Sequence, residues 1–428
     1  MLAYHHPEVK SLLFSGNWGI EKESLRIDAS ANFAHTPHPF PDHTQIVRDF
    51  SENQLEVNTG VNPDIPSVMQ ELTHWEQVVE QRLKESTPRE YLWKFSNPPY
   101  IKNEEDIPVA QFTGILSDKT KYRNYLSEVY GKYKMTFSGI HVNYSYGEDL
   151  IRASYEAIRK DGKSEGRSLD EYRDQCYLNL AANLLNNGWL ITLLLSASPL
   201  LDASFLNQGE QGTDFLGMAS VRCSDLGYWN HFVPILSYES VKEYTDNIRG
   251  YIEEGLISSQ TELYYPVRLK SKGENSLDEM DKTGVNHIEM RNIDINPYAY
   301  VGLDERDLQL IHLLLVYDSV RKAPHLGKEK QIFAIRNFKN AARYDIDQTK
   351  LITLEGKILS LREAGIRCLK ELQEFLQEVD WVADPSMQEA LAYQFKKLTE
   401  PDVRYAERVK HDFKDDFVKK GLKFILEK

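Results

Sequence analysis

Trp18-Gly19-Ile20-Glu21-Lys22-Glu23-Ser24-Leu25-Arg26-Ile27 is the stretch on which the reading of the whole chain turns. Two acids stand two apart between apolar residues. In a strand, side chains alternate with period two, so Glu21 and Glu23 share one face. Like charges side by side on a sheet face repel each other. A fold keeps such a pair where the face is wet, or where a cation sits between the carboxylates. Hard divalent cations such as magnesium take oxygen ligands of this kind. An isolated Glu-x-Glu reads as a solvated edge strand, so the choice rests on whether the pattern recurs.

It does recur. In Asp49-Phe50-Ser51-Glu52-Asn53-Gln54-Leu55-Glu56-Val57-Asn58, alternation favours a strand entered from a turn at Asp49, with Glu52, Gln54, Glu56 and Asn58 on one face. In Met135 to Tyr144, His141 and Asn143 share a face by the same rule. In Asn286 to Pro297, Glu289 and Arg291 do so beyond a turn at Gly284. That last pair reads either as mutual neutralisation or as a metal ligand beside a phosphate-binding arginine. Arg222, before Ser224-Asp225-Leu226-Gly227, has the planar fork that grips a carboxylate or phosphate. Several carboxylates with a single imidazole suit magnesium or manganese and argue against zinc or copper. No Gly-x-x-x-x-Gly-Lys loop is present, so a P-loop nucleotide fold is not expected.

The rest of the chain reads as scaffold. Pro66 to Glu85 is an amphipathic helix with Val68, Leu72, Trp75, Val79 and Leu83 on its apolar stripe, and packing is its expected role. Further helices are expected over 119–133, 148–187 and 304–322, the last capped by Asp304. Trp189 to Leu201 is the most apolar run. It falls short of the ~20 residues of a membrane span and reads as a buried helix ending at Pro199. His35, His38 and His43 lie in a Pro-rich polar segment that reads as a surface loop.

The 428 residues hold 51 basic and 65 acidic side chains, a net charge of −14, so nucleic acid and anionic membranes are poor partners. Cys176, Cys223 and Cys368 are odd in number and far apart. They suggest neither a disulfide framework nor a zinc site, and suit a reducing cytoplasm. Cys223 reads as a packed thiol. The first residues do not read as a signal peptide.

Taken together, the chain resembles the bacterial glutamate–cysteine ligases, whose fold is related to glutamine synthetase. The resemblance rests on Gly19-Ile20-Glu21-Lys22-Glu23-Ser24-Leu25-Arg26, Asp49-Phe50 leading to Leu55-Glu56, and Ser138-Gly139-Ile140-His141-Val142-Asn143. It continues through Ser198-Pro199, Arg222-x-Ser224-Asp225-Leu226-Gly227-Tyr228, Leu263-Tyr264-x-Pro266-x-Arg268 and Ile288-Glu289-x-Arg291-x-Ile293-Asp294-Ile295-Asn296-Pro297. It implies an α+β fold in which a curved, mainly antiparallel sheet forms a funnel, with helices around it and a helical C-terminal part. The expected division is 1–323 as the catalytic body and 324–428 as a helical region packed on it, with a break over 324–352. No ATP-grasp-like second domain follows, so the expectation is not the fused enzyme that also makes glutathione.

By the same resemblance, Glu21, Glu23, Asp49, Glu56, His141 and Glu289 would hold magnesium, with manganese as the substitute. Arg291 would contact the phosphates of ATP and, with Glu289, carry the catalysis. Arg222 and the strand from Phe137 to Asn143 would hold glutamate. Phe50, Tyr122, Leu126, Tyr228 and Tyr264 would line the cysteine pocket. The implied reaction is phosphorylation of the γ-carboxylate by ATP, then displacement of phosphate by the amine, as the first step of glutathione biosynthesis. Met135 and Phe137 stand where family members carry Gln and a smaller aliphatic residue. They motivate the alternative, a related ligase for another acid or amine. Oligomeric state has no signature in the sequence.

Overall fold

Glu21 and Glu23 lie on the longest strand of a seven-stranded sheet in the computed structural model, which describes residues 1–427 apart from Tyr228, Glu274, Val382 and Ala383. The strands are β1 (Gly16–Ile27), β2 (Ile46–Arg48), β3 (Gln54–Asn58), β4 (Tyr91–Leu92), β5 (Gly139–Tyr146), β6 (Val267–Lys270) and β7 (His287–Asp294). Their order is β2-β3-β1-β5-β7-β6, with β4 on the far end of β1, and every pairing is antiparallel. The register puts Glu23 opposite Glu56, Glu21 opposite His141, and Glu289 between Asn143 and Arg268. The register of β5 and β7 shifts between Ile140 and Val142, where β7 carries the extra residue. Such bulges re-aim side chains. Here Asn292 turns away from the polar face and donates to Gly188 O (3.1 Å) and Thr192 Oγ1 (2.8 Å).

The other face is apolar. Trp18, Ile20, Leu55, Val57, Ile140, Val142, Ile288 and Met290 enter one large core. Helix α1 (Ile65–Lys84) helps cover it, capped by Asp64, which accepts from Ser67 N at 2.8 Å, with Pro66 in the first turn. Its buried stripe is not purely apolar. Glu76 accepts from Lys22 Nζ at 2.6 Å and Lys94 Nζ at 2.5 Å, and both Lys22 and Glu76 are about 99% buried, at 1% side-chain exposure each. The helix therefore does more than pack: it neutralises the lysine that stands between the two glutamates of β1 and points the opposite way.

Helix α2 (Ser117–Tyr130) borders the polar face. Helices α3 (Leu169–Asn187) and α4 (Trp189–Leu195) form the centre of the core, bent at Gly188 by 52°. No single helix among the described residues is long and apolar enough to cross a membrane. Helix α4 stops at Leu195, not at Pro199, because Asp294 accepts from Ala197 N (2.9 Å) and Ser198 Oγ (2.6 Å) and draws that segment out of the helix. Helix α5 (Glu305–Val320) is capped by Asp304. The stretch read as a break over 324–352 holds a helix, Lys328–Ala341, because Gln331, Ala334, Ile335 and Phe338 bury one of its faces. A hairpin of Lys350–Ile352 with Ile358–Ser360 precedes α6 (Leu361–Glu378), and three further helices follow over 385–426. Leu361, Leu369, Phe375 and Met387 share the core of the sheet, and Phe413 and Phe417 pack edge-to-face against Phe95.

Two stability predictions follow from this packing. Glu76→Leu leaves the buried Lys22 ammonium without its partner and lowers urea stability by about 3–5 kcal/mol, and adding Lys22→Met restores most of the loss. His312 is packed among Phe14, Trp18 and Tyr144, and burial holds its pKa down at about 4. The unfolded chain takes up a proton there below about pH 6.5, which the folded chain refuses. Its stabilising effect is thus complete above about 6.5 and is lost as pH falls toward 4, so His312→Phe flattens the acid limb of a Tm-versus-pH profile.

Candidate active site

Six residues of the polar face gather into two groups. The ligand atoms of Glu21, His141 and Glu289 lie within 4.8 Å of one another, and so do those of Glu23, Asp49 and Glu56. His141 joins the two: its Nδ1 is 3.1 Å from Glu21 Oε2 and 3.9 Å from Glu289 Oε1, and its Nε2 is 3.7 Å from Glu23 Oε1. Burial and the nearby Arg291 hold the imidazole pKa down at about 4, so the ring is neutral and has a lone pair to offer. Asn143 Nδ2 donates to Glu21 Oε1 at 3.0 Å.

The groups differ in electrostatics. Glu289 is surrounded by Arg291 (3.0 Å), Lys270 (3.3 Å) and Arg268 (3.6 Å). Burial alone raises its pKa, but these cations outweigh burial and hold it well below the usual carboxylate range. In the second group burial dominates. Burial and the neighbouring Asp49 push Glu23 up to about 8, against the pull of Arg222 and Arg291. Burial, Asp49 and Glu21 push Glu56 up as well, and burial raises Asp49. Three close carboxylates with too little positive charge around them call for protons or a cation. Glu289 Oε2 is buried without a hydrogen-bond partner among the described residues. Oxygen donors with one imidazole, strained by their own repulsion, fit a hard divalent cation at each group.

Beside the second group lies a cavity of ≈ 160 Å³. Glu23, Asp49 and His141 form one wall, Arg123, Arg222 and Arg291 supply positive charge, and Phe50, Tyr122, Leu126, Met135 and Tyr264 supply the apolar part. The structure thus brings Phe50, Tyr122, Leu126, Tyr264, Arg222 and Arg291 into one cavity. Tyr228 lies outside the described residues. Phe137 departs from expectation. Its side chain is fully buried with Leu201, Met218 and Val221, and its ring packs tilted against Phe205 at 4.9 Å, while its backbone carbonyl accepts from Gln54 Nε2 at 3.2 Å. Asn143 does not reach this cavity wall either, because its amide is committed to Glu21.

Sequence reasoning missed Arg123 and Lys270. Arg123 donates from Nε to Asp49 O and from Nη1 to Lys119 O at 3.1 Å. Its only signal was adjacency to Tyr122. Lys270 shares a face with Arg268 by period two, which was legible had the strand been carried past Arg268. Of the three loop histidines, His38 and His43 are turn acceptors. His38 Nδ1 accepts from Phe40 N at 3.1 Å, and His43 Nδ1 from Gln45 N and Ile46 N, both at 3.1 Å. Gly139 is required where it stands. Its N–H donates to Glu23 Oε2 at 2.7 Å, and a Cβ there would lie 2.0 Å from Arg222 Cζ. Arg222 rests on this glycine, donates from Nη1 to Ile293 O at 3.3 Å, and keeps Nε without a hydrogen-bond partner among the described residues. Cys223 is buried, and burial with Asp294 pushes its thiol up to about 11.

The family profile described as glutamate-cysteine ligase matches residues 2–256 and 249–341. The chain belongs to the glutamate–cysteine ligase family. A bifunctional glutathione biosynthesis protein of Listeria monocytogenes serotype 4b (strain F2365) is 33% identical over 416 residues, covering 94% of this chain and 53% of that protein. The corresponding protein of Enterococcus faecalis is 33% identical over 380 residues, covering 85% and 48%. This glutamate–cysteine ligase family chain therefore spans about half the length of the curated relatives it matches. Among solved structures, a bifunctional glutathione synthetase from Pasteurella multocida aligns with a TM-score of 0.83 at 26% identity, covering 99% of this chain and 53% of that one. A glutamate–cysteine ligase from Francisella tularensis in complex with AMP aligns with a TM-score of 0.82 at 22% identity, covering 96% and 88%, which shows a shared fold.

The two groups predict separable metal binding. Titration with Mn²⁺ followed by electron paramagnetic resonance is expected to resolve two classes of site. Glu289→Gln weakens one class by at least about 10–100-fold and Glu56→Gln the other, no less than the scale that loss of an outer-shell partner alone produces.

Proposed function

We propose that this chain joins the γ-carboxylate of L-glutamate to the amine of L-cysteine at the expense of ATP, by way of a γ-glutamyl phosphate. The observation that carries the reading is the pair of carboxylate groups, linked by His141, that opens onto a cavity holding both guanidinium groups and aromatic side chains. A carboxylate is a poor electrophile, so it must be activated before an amine can displace oxygen from it. Magnesium, when bound, neutralises phosphate charge during transfer. Glu21, His141 and Glu289 would hold one ion, and Glu23, Asp49 and Glu56 another.

The residues of the chain then divide the work. Arg291, fixed at 3.0 Å by Glu289, presents its remaining N–H groups to the transferring phosphoryl group, where negative charge develops. Arg222, seated on Gly139, has an unengaged N–H for the substrate's carboxylate. Arg123 places a third cation at the Asp49 end. Phe50, Tyr122, Leu126 and Tyr264 enclose a small apolar space suited to a thiol side chain, and exclude water that would hydrolyse the acyl phosphate. The AMP in the Francisella structure and the glutathione-biosynthesis names of the bifunctional relatives support ATP as the phosphoryl donor and the first step of that pathway as the setting. The reaction draws on ATP and reduced cysteine, both cytosolic, and the three free thiols are compatible with that compartment.

One observation favours a second reading. Met135, 2% exposed, stands in the cavity wall without hydrogen-bonding capacity beyond its sulfur, so the acid or the amine recognised there can differ.

ADP release with Mg-ATP and glutamate, with and without cysteine, and mass spectrometry of the product, test the two. Cysteine-dependent ADP with a γ-glutamylcysteine mass is the expected result. Turnover only with other acids or amines would overturn the substrate assignment and leave the chemistry. Glu289→Gln is expected to lower kcat by about 10²–10³. Gly139→Ala displaces the Arg222 guanidinium and is expected to raise the KM for glutamate by about tenfold or more, with a smaller change for ATP, as loss of a charge-assisted hydrogen bond would.

A further inference from the structure

We infer that the back of the molecule carries a second small-molecule site, a two-lobed cleft among helices α3, α5 and α6 that takes an amino acid with an apolar side chain. One lobe, of ≈ 200 Å³, is walled by Leu190, Leu314, Tyr317 and Leu372 and reaches Arg321. The other, of ≈ 130 Å³, is walled by Trp189, Leu354 and Leu359 and reaches Arg367. Asn186, Asn187, Cys368 and Glu371 line both and form the junction. None of these residues borders the cavity of the candidate active site.

Polar groups line the cleft, and two buried polar atoms beside it are incompletely satisfied. Asn187 Nδ2 donates to Asp318 Oδ1 at 2.7 Å, and Asn186 Nδ2 to Asn187 Oδ1 at 2.8 Å. Glu371 accepts from Arg367 Nε through Oε1 at 3.0 Å, and Arg321 Nη2 donates to Glu378 at 2.9 Å. Asp318 is fully buried, and its Oδ2 has no hydrogen-bond partner among the described residues; Arg321 Nε is buried and equally without one. Such atoms are uncommon in folded proteins and destabilising where they occur. Burial also pushes the Asp318 carboxyl up to about 8.

This inventory fits a zwitterion. An ammonium group at the junction meets the Glu371 carboxylate, with Asp318 behind Asn187 adding negative charge as the ammonium lowers its pKa. A carboxylate meets Arg321. An aliphatic or aromatic side chain fills the lobe of Leu190, Leu314 and Leu372. Cavities of roughly 150 Å³ hold a benzene ring, and the two lobes together reach the lower end of the roughly 300–1,000 Å³ that small-molecule sites occupy.

The cleft also has a mechanical connection to the polar face of the sheet. Asn187 and Trp189 line it and flank Gly188, whose carbonyl accepts from Asn292 Nδ2, and Asn292 follows Arg291 in β7. Gly188 has little room to adjust independently: a Cβ there would lie 2.6 Å from Leu184 O and 2.8 Å from Phe338 Cζ. Occupancy that shifts the bend between α3 and α4 would reach β7 next to Arg291 through this hydrogen bond.

Isothermal titration of the full chain with L-leucine, L-methionine and L-phenylalanine tests the inference directly, without reference to turnover. At least one is expected to bind with a millimolar or tighter Kd in the presence of magnesium, a non-hydrolysable ATP analogue and glutamate, where no acceptor amine can turn over. Glu371→Gln, at a side chain 40% exposed and tolerant of change, is expected to weaken it by about tenfold. Cys368→Leu, which fills the junction, is expected to abolish it. If Cys368→Leu fails to fold, the Glu371 variant decides. No binding of any of the three up to about 10 mM, binding displaced by magnesium and the ATP analogue with glutamate, or binding indifferent to Glu371→Gln would each overturn the site.

Discussion

Glu23 and Glu56 stand opposite each other across a pair of antiparallel strands, and this repulsive pair is the constraint around which the rest of the structure is arranged. Like charges directly opposite are destabilising on an open sheet, and burial makes them more so. Asp49, delivered by the β2–β3 turn, adds a third carboxylate to the same group. A fold keeps such an arrangement only if something else returns the stability and if a ligand resolves the repulsion. A divalent cation would do the second, since anything that binds the folded state and not the unfolded one stabilises it.

The first requirement is met on the far side of β1. Lys22 and Arg26 leave the strand away from Glu21 and Glu23, and each finds a buried glutamate, Glu76 and Glu90, at 2.6 Å. These pairs anchor the backbone between and beyond the two acids, so the carboxylates cannot relax by rotating the strand. Around the rim, Asp294 gathers Ala197, Ser198 and Ser220, and thereby positions the segment that delivers Arg222 onto Gly139. The polar face is thus rigid because its back and its rim are tied by ion pairs and hydrogen bonds.

Much of this was legible in the sequence, because period-two alternation is a strong signal. It paired Glu21 with Glu23 and Glu289 with Arg291 and put Glu56 and His141 each on the polar face of its own strand, and the antiparallel register then brought the ligand atoms of the acids and the imidazole together. What alternation cannot show is which acids group with which, since that depends on register and on the bulge opposite His141. It also cannot assign partners to the opposite face: Glu76 was invisible inside an apolar helical stripe. Phe137 was misplaced for a related reason. It lies in the 3₁₀ turn and bend before β5, where no alternation applies, and its ring went to a small core of its own.

The unequal charge around the two groups gives the face a direction. Glu289 already has Arg268, Lys270 and Arg291 about it, so a cation held there meets a surface prepared for further negative charge, the setting a phosphate chain needs. Glu23, Asp49 and Glu56 lack that excess, so a cation there would be held strongly and would turn its remaining positive field toward the cavity. His141, neutral and within 4 Å of members of both groups, keeps the two fields a fixed distance apart. On the proposed reaction, phosphoryl transfer between a donor on one side and an acid on the other requires their reacting oxygens to be in line, and two cations held by this rigid sheet would supply that alignment without the sheet moving.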